Sequence, residues 1–243
     1  MIEWESNRLI LSLWDFDDPA GSRARFEAVA AVVRTQIARS HGLAGDFDQA
    51  HLVLDETADI EGEPRIRALL ERGRVYRSAG DAERAVPLFR EAFELAQTQG
   101  LAGLAADAAH MLAIALPDEH LHWFLEGLGA AQESDDPLAL SMTGALQNNM
   151  GWRLADEEEW ETAYSLFDWA VAARAKVLEN LDSDAARKSY HVARWTRARA
   201  ARALGRRDEA LAELRELAAT DVGAADPYVA EEIAANESYL EGE

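Results

Sequence analysis

The chain has 243 residues, 49% of them hydrophobic, with 45 Asp plus Glu against 24 Lys plus Arg and a net charge of −21. That length and apolar content suffice for a sizeable core in one or two domains, and so acidic a surface repels phosphate backbones and argues against nucleic acid as a general partner. There is no cysteine, which excludes disulfides, thiolate metal sites and thiol nucleophiles.

No apolar run approaches the ~18 residues of a membrane span. The opening MIEWESNRLILSLWDF has neither a basic start nor a cleavage site. The expectation is a soluble, cytoplasmic protein with no membrane partner. Lys176 and Lys188 are the only lysines, an arginine bias associated with GC-rich bacterial genomes.

Strand signals are nearly absent, and Ala, Leu, Glu and Arg dominate, all of which favour helix. Residues 1–18 read as an N-terminal capping segment, extended or in a short helix. In it Leu9, Ile10, Leu11, Leu13, Trp14 and Phe16 would cover the apolar face of the first helix pair. Asp18-Pro19 then pairs an N-cap with Pro at the first helical position, as do Asp136-Pro137 and Asp226-Pro227. Gly45-Asp46 and Gly80-Asp81 each combine a helix stop with the cap of the next helix, and Gly205 marks another stop. These signals predict eleven helices, at 19–41, 46–59, 64–79, 82–98, 101–116, 118–133, 137–155, 159–179, 183–204, 207–220 and 226–240. Short turns join them. The last helix places Val229, Ile233 and Leu240 near one face and acids on the other. It has no partner helix after it, so 226–243 reads as a terminal cap.

The predicted helices pair, and the pairs resemble one another. Similar stretches begin at Ala30, Leu69, Leu146 and Arg194. A small residue recurs in the first helix at Ala38, Gly73, Ala113, Gly151 and Ala198. A turn Gly follows at Gly45, Gly80 and Gly205, then a second-helix Ala at Ala50, Ala85, Ala163 and Ala210. Four residues on stands Leu54, Phe89, Phe167 or Leu214, with Ala92 and Ala170 closing two of the units. This pattern resembles the tetratricopeptide (TPR) repeat, a 34-residue pair of helices. The resemblance covers about 19–220 and implies an all-α, right-handed TPR-like solenoid of about five helix pairs across 19–225, with a C-terminal capping helix. The third pair departs from the pattern, with Leu116-Pro117-Asp118 in place of the Gly turn. The interval from Ala163 to Ala210 exceeds 34 residues, so helices 159–179 and 183–204 should be extended.

Signals for chemistry are weak. Asp118, Glu119, His120 and His122 cluster, but histidines two apart do not share a helix face, and no H-E-x-x-H motif is present. Asp15, Asp17 and Asp18 fail the calcium-loop spacing, and Asp18 suits capping better. The acidic run from Asp156 to Glu161, with Trp160 inside it, reads as a solvated helix start. No nucleophile triad, phosphate loop or dinucleotide fingerprint occurs. The reading is therefore non-catalytic, with no cofactor and no metal.

In TPR proteins the first helix of each pair lines an inner groove. The register carries Arg39, Arg67, Leu70, Arg74, Arg77, Asp107, His110, Ile114, Asn148, Trp152, Trp195, Arg199 and Arg202 to that surface. Six arginines in an acidic protein suit planar recognition of carboxylate or phosphate, and two tryptophans supply apolar anchors. Two alternatives to binding stay open here: the arginines pair with neighbouring acids, and Trp195 belongs to the core if the fifth repeat is shifted. The resemblance implies a protein or peptide partner held in the groove. The expected ligand is an acidic or carboxylate-ended segment, with Arg67, Arg74 and Arg77 at one end and Asn148, Trp152, Arg199 and Arg202 further along. The competing classes are a self-associating homodimer and a small-molecule-binding helical protein using His110, Asn148 and Trp152.

Overall fold

The computed structural model describes residues 2–57, 60–132 and 134–240. The predicted helix ends at 59 and 133, Met1 and residues 241–243 lie outside the described residues, as does the side chain of Leu240. Thirteen α-helices are described and no strand: α1 (Ile2–Leu13), α2 (Pro19–Leu43), α3 (Phe47–Asp55), α4 (Glu63–Ser78), α5 (Ala82–Thr98), α6 (Ala102–Ala115), α7 (His120–Ala131), α8 (Pro137–Asp156), α9 (Trp160–Asn180), α10 (Asp184–Ala203), α11 (Arg207–Ala218), α12 (Asp221–Ala224) and α13 (Pro227–Leu240). All eleven predicted helices are present. The additions are α1 and the single turn α12. A 3-10 turn at Pro117–Glu119 replaces the glycine stop between α6 and α7. The predicted long helices are α9 and α10, of 21 and 20 residues.

The chain divides into two compact units, Met1–Leu104 and Ala105–Glu243. In the first, α2 packs on α3 and α4, and α4 packs on α5. In the second, α8 packs on α7 and α9, α10 on α9 and α11, and α11 on α13.

Aspartates start the helices as their sequence positions suggest. Asp18 accepts from the Gly21 amide at 3.0 Å, Asp81 from Arg84 at 3.0 Å, and Asp136 from Leu138 at 3.0 Å. Each satisfies a donor that the helix leaves orphaned. Asp46 is the exception, with no side-chain bond to its helix; its carboxylate instead lies 3.5 Å from His41 Nδ1.

The helix pairs share one packing rule. The second-helix alanines Ala50, Ala85, Ala163 and Ala210 are wholly buried, as are Leu54, Phe89 and Leu214, with Phe167 at 1% exposure. The reason for the small first-helix residue is geometric. A Cβ built on Gly73 would lie 2.4 Å from the Phe89 ring, and one on Gly151 would lie 2.4 Å from the Phe167 ring. The two units repeat the same contact, with the ring edge resting where a side chain would stand. Burying such a ring is worth ~1.5–3 kcal/mol. In the α7 crossing the glycine moves to the second helix: a Cβ on Gly127 would stand 2.6 Å from Leu146 and 3.1 Å from Ala109.

The turns repeat as well. Gly45, Gly80 and Gly205 take positive φ of 81°, 84° and 77°. In each turn the next amide reaches back to the preceding helix: Asp46 to His41 O, Asp81 to Tyr76 O and Arg206 to Ala201 O, all 2.9 Å. This is the Schellman closure. Glu158, seven residues after Gly151, occupies the same place with φ 64°, and Glu159 N meets Leu154 O at 2.9 Å. The tertiary structure thus holds an acidic residue in a conformation that glycine adopts freely.

The N-terminal segment departs from expectation. Leu9, Ile10, Leu11, Trp14 and Phe16 stay 43–81% exposed. The apolar residues of α1 run consecutively and so point round the helix, and no single face can bury them all. What ties the segment to α2 is polar and aromatic: Arg25 Nε donates to Leu13 O at 2.9 Å, Ser22 Oγ donates to Asp15 O at 2.9 Å, and Trp14 meets Phe26 edge-on. The C-terminal helix covers its neighbour as expected. Val229 is 1% exposed and joins Ala198, Leu214 and Leu217, with Ile233 beside them.

Two stability predictions arise from these contacts. Gly151→Ala should cost roughly 1–3 kcal/mol through overpacking against Phe167. Gly129→Ala, on α7 where a Cβ meets nothing within 4 Å, should instead gain up to ~1 kcal/mol from helix propensity. Urea denaturation reads both, and a shared sign would contradict the crossing geometry. Glu158→Gly should stabilise by ~0.5–1 kcal/mol by relieving the left-handed backbone, seen as a raised urea midpoint with an unchanged slope.

Candidate functional site

In the first unit the predicted arginines are mostly committed to acids of the same chain. Glu71 is 3% exposed, and its Oε1 accepts from Arg39 Nη1 at 3.2 Å and from Arg74 Nη1 at 2.6 Å. Arg67 Nε donates to Glu63 Oε1 at 2.7 Å, one helical turn away. Leu70, assigned to the groove by register, is 1% exposed and part of the core. Arg77 is exposed, and among the described residues no carboxylate lies within ion-pair distance of it. A paired guanidinium has fewer donors left for a ligand than a free one, so Arg77 is the most available of this set.

In the second unit α8 and α10 carry an aromatic strip. The Trp152 and Trp195 ring centroids are 6.5 Å apart, and Tyr228 lies 6.1 Å beyond Trp195. Trp152 rests on buried Phe167 at 5.3 Å. Trp195 donates from Nε1 to Tyr228 O at 3.2 Å and leans on the cluster of Ala198, Leu214, Leu217 and Val229. Both rings are half-buried, so Trp195 is neither wholly core nor wholly groove. Arg199 stands over both, its Cζ 5.5 Å from the Trp152 ring and 5.7 Å from the Trp195 ring. Such cation–π contacts are worth about 0.5–2 kcal/mol and leave the guanidinium edges open. No described carboxylate pairs with Arg199. Arg202, by contrast, is bound to Glu232, a 5%-exposed residue of α13. That bond docks α13 on α10 together with His191 Nε2 and Asp226 Oδ2, 2.8 Å apart.

His110 and Asn148, with Ile114, enter a cleft of about 490 Å³ in the second unit. Its other walls are Gly144, Ala145, Asn149, Arg174, Lys188, Ser189, Val192 and Ala193. Asn149 Nδ2 donates to His110 Nε2 at 2.9 Å, which leaves the imidazole proton on Nδ1 when the ring is neutral. The Asn148 side-chain oxygen is buried without a partner. Asp107, also placed on the inner face by register, is only 7% exposed and does not line the cleft. Sequence reasoning missed Arg174, because it sits on the second helix of its pair. Its side chain crosses α8 over Gly144, where a Cβ would come within 2.8 Å of Nε. An unexplained glycine in the middle of α8 was the available sign.

Other candidate chemistry resolves into structure. Trp123 Nε1 donates to Glu119 Oε2 at 2.9 Å, and His120 Nδ1 lies 3.0 Å from Ala113 O, so this cluster stitches α6 to α7. No group of three or more His, Asp or Glu suited to a metal ion occurs among the described residues. Nor, among them, is any helix long and apolar enough to cross a membrane.

The tetratricopeptide repeat model matches residues 66–99, the stretch that contains Gly73, Gly80 and Phe89. No curated protein matches the chain. Among solved structures, the TPR-like repeats of a Podosopora anserina protein assigned as a kinesin light chain are similar in two crystal structures. A point variant has 19% identity, 87% of this chain and 98% of that chain covered, and a TM-score of 0.52. The other has 18% identity, 88% and 97% covered, and 0.51. BtubC (BKLC) from P. vanneervenii is 16% identical, with 98% of this chain and 92% of that chain covered and a TM-score of 0.54. These likenesses are of fold, and they agree with the glycine crossings and Schellman turns built from the residues upward: the chain carries a tetratricopeptide repeat and is an all-α, TPR-like repeat protein.

Proposed function

We propose that the protein is a non-catalytic interaction module that holds a segment of a partner protein on the first-helix face of its second unit. The observation that carries this reading is the strip of Trp152, Arg199 and Trp195: two half-buried rings with a cation between them that no described acid neutralises. Trp, Tyr and Arg dominate binding hot spots because they combine large apolar area with directional donors. A fitting segment presents an apolar or aromatic side chain to the rings and a carboxylate to Arg199. Most other arginines of the expected groove are occupied by Glu63, Glu71 and Glu232, so the preference for acid rests on few residues. The −21 net charge opposes an acidic partner at long range, so association should be slow and the contact short-ranged.

A second reading, self-association, draws on the exposed apolar run of Leu9, Ile10, Leu11 and Phe16. Patches of this kind mark interaction sites when they are contiguous. Light scattering coupled to size exclusion separates the two readings, and a monomer would remove the second.

Affinity capture from the native organism, followed by calorimetry of the captured segment, tests the first reading. Arg199→Ala should weaken binding roughly tenfold to a hundredfold, as loss of a charge-assisted bond does. Tyr228→Ala should weaken it by less, and Arg84→Ala, exposed and paired with Asp81 in the first unit, should leave it unchanged. Equal affinities for all three variants and wild type would remove the aromatic strip from the account.

A further inference from the structure

The cleft of about 490 Å³ bounded by α6, α8, α9 and α10 differs in lining from the clefts beside it on α10, which contain Asp184, Asp221 or Asp226. In a chain with 45 acids none of its lining residues is acidic, and two, Arg174 and Lys188, are cations. The state of Arg174 is the decisive detail. Two other guanidiniums that burial affects sit on carboxylates: Arg194 on Glu213 and Glu216, and Arg197 on Asp168 and Glu213. Arg174 has no carboxylate among the described residues. Its one hydrogen bond there is from Nη1 to Ser141 Oγ at 2.8 Å, which leaves most of its five donors without a protein acceptor. Burial pushes the Arg174 guanidinium below its usual range, whereas the acids beside Arg194 and Arg197 raise theirs. A half-buried cation without a counter-charge is costly unless an anion completes it.

The fold also gives up a side chain to put it there. Gly144 removes the Cβ that would stand 2.8 Å from Arg174 Nε, so the arginine lies flat across α8 and reaches the inner face from the second helix of its pair. Around it stand a hydroxyl, Ser189, two carboxamides, Asn148 and Asn149, and the exposed ammonium of Lys188. Asn148 keeps a buried polar atom without a partner. Amide oxygen and nitrogen exchange on a flip, so this group can meet either an acceptor or a donor of a ligand.

We propose that this cleft is a binding site for a phosphate monoester group. Two cations match the −1.5 to −2 charge of such a group near neutral pH. The planar Arg174 fork suits two of its oxygens, Lys188 offers a point charge, and Ser189 and a flipped Asn148 offer neutral donors. A single carboxylate would leave one cation unmatched. The acidic exterior slows the approach of any anion, but the acid-free lining removes that repulsion at contact. The site does not depend on the aromatic strip.

Isothermal titration of the purified full chain with inorganic phosphate tests the proposal. Saturable one-site binding is expected, with a dissociation constant on the order of 1 mM or tighter. Lys188→Ala and Arg174→Met should each weaken it about tenfold or more. Gly144→Ala should weaken it too, by displacing Arg174, and Arg84→Ala should have no effect. Lys188 is exposed, so that variant decides the matter if the buried changes prevent folding. Titrations with O-phosphoserine and with glycerol 3-phosphate distinguish a phosphorylated side chain from a small phosphate ester as the source, and tighter binding of either than of inorganic phosphate supports the site. Absence of saturable binding for all three phosphates, acetate binding as tightly as phosphate, or an unchanged constant in Lys188→Ala would each overturn it.

Discussion

The architecture depends on one contact, a phenylalanine ring edge lying on a glycine. Phe89 on Gly73 and Phe167 on Gly151 each set a ring edge where a Cβ would otherwise stand, and the second-helix alanines of the same pairs, Ala85 and Ala163, are wholly buried. Helices packed this closely exclude even a methyl group, so the contact tolerates little variation and fixes the register of each pair. Trp152, next to Gly151 on α8, rests on the same Phe167 ring, with centroids 5.3 Å apart.

Electrostatics then decide which candidate arginines keep free donors. A chain with so many acids neutralises most of its arginines internally. Glu71 alone occupies Arg39 and Arg74, and Glu232 occupies Arg202 while holding the terminal helix. These pairs belong to the fold more than to recognition. Among the candidate positions, the cations without a described acid partner differ in place: Arg77 at an exposed helix end, Arg199 over two indoles, and Arg174 and Lys188 in a cleft without acids. Their interest is that an unpaired guanidinium keeps the directional donors that a paired one has already used.

Much of the fold was legible because its signals are local. Aspartate caps, proline at the first helical turn and glycine stops report on a few adjacent residues, and the structure realises most of them with the hydrogen bonds they imply. The exceptions are informative. Glu158 fills a glycine's place because the closing bond from Glu159 to Leu154 and the packing of α8 on α9 outweigh its local preference. Asp46 looks like a cap and is drawn to His41 instead. The N-terminal apolar run reads as a cover for the repeats and remains exposed, because composition says nothing about how residues distribute round a helix until its packing partner is known.

By itself the sequence determined the all-helical class, the pairing of helices, the glycine crossings and the identity of the buried alanines, since each follows from spacing at 3.6 residues per turn and from the steric demands of single residues. It also placed His110 within α6 and Asn148 and Trp152 within α8. Pairs within one helical turn, Arg67 with Glu63 and Arg74 with Glu71, were open to local reasoning, but only the tertiary structure decided that Arg39 and Arg202 were neutralised, because Arg39 and Glu71 are 32 residues apart and Arg202 and Glu232 are 30 apart. The same holds for Arg174, which reaches the cleft only by crossing Gly144 on the preceding helix. Those two ion pairs and the cleft are relations between distant segments, and no local pattern of residue types encodes them until the helices have packed.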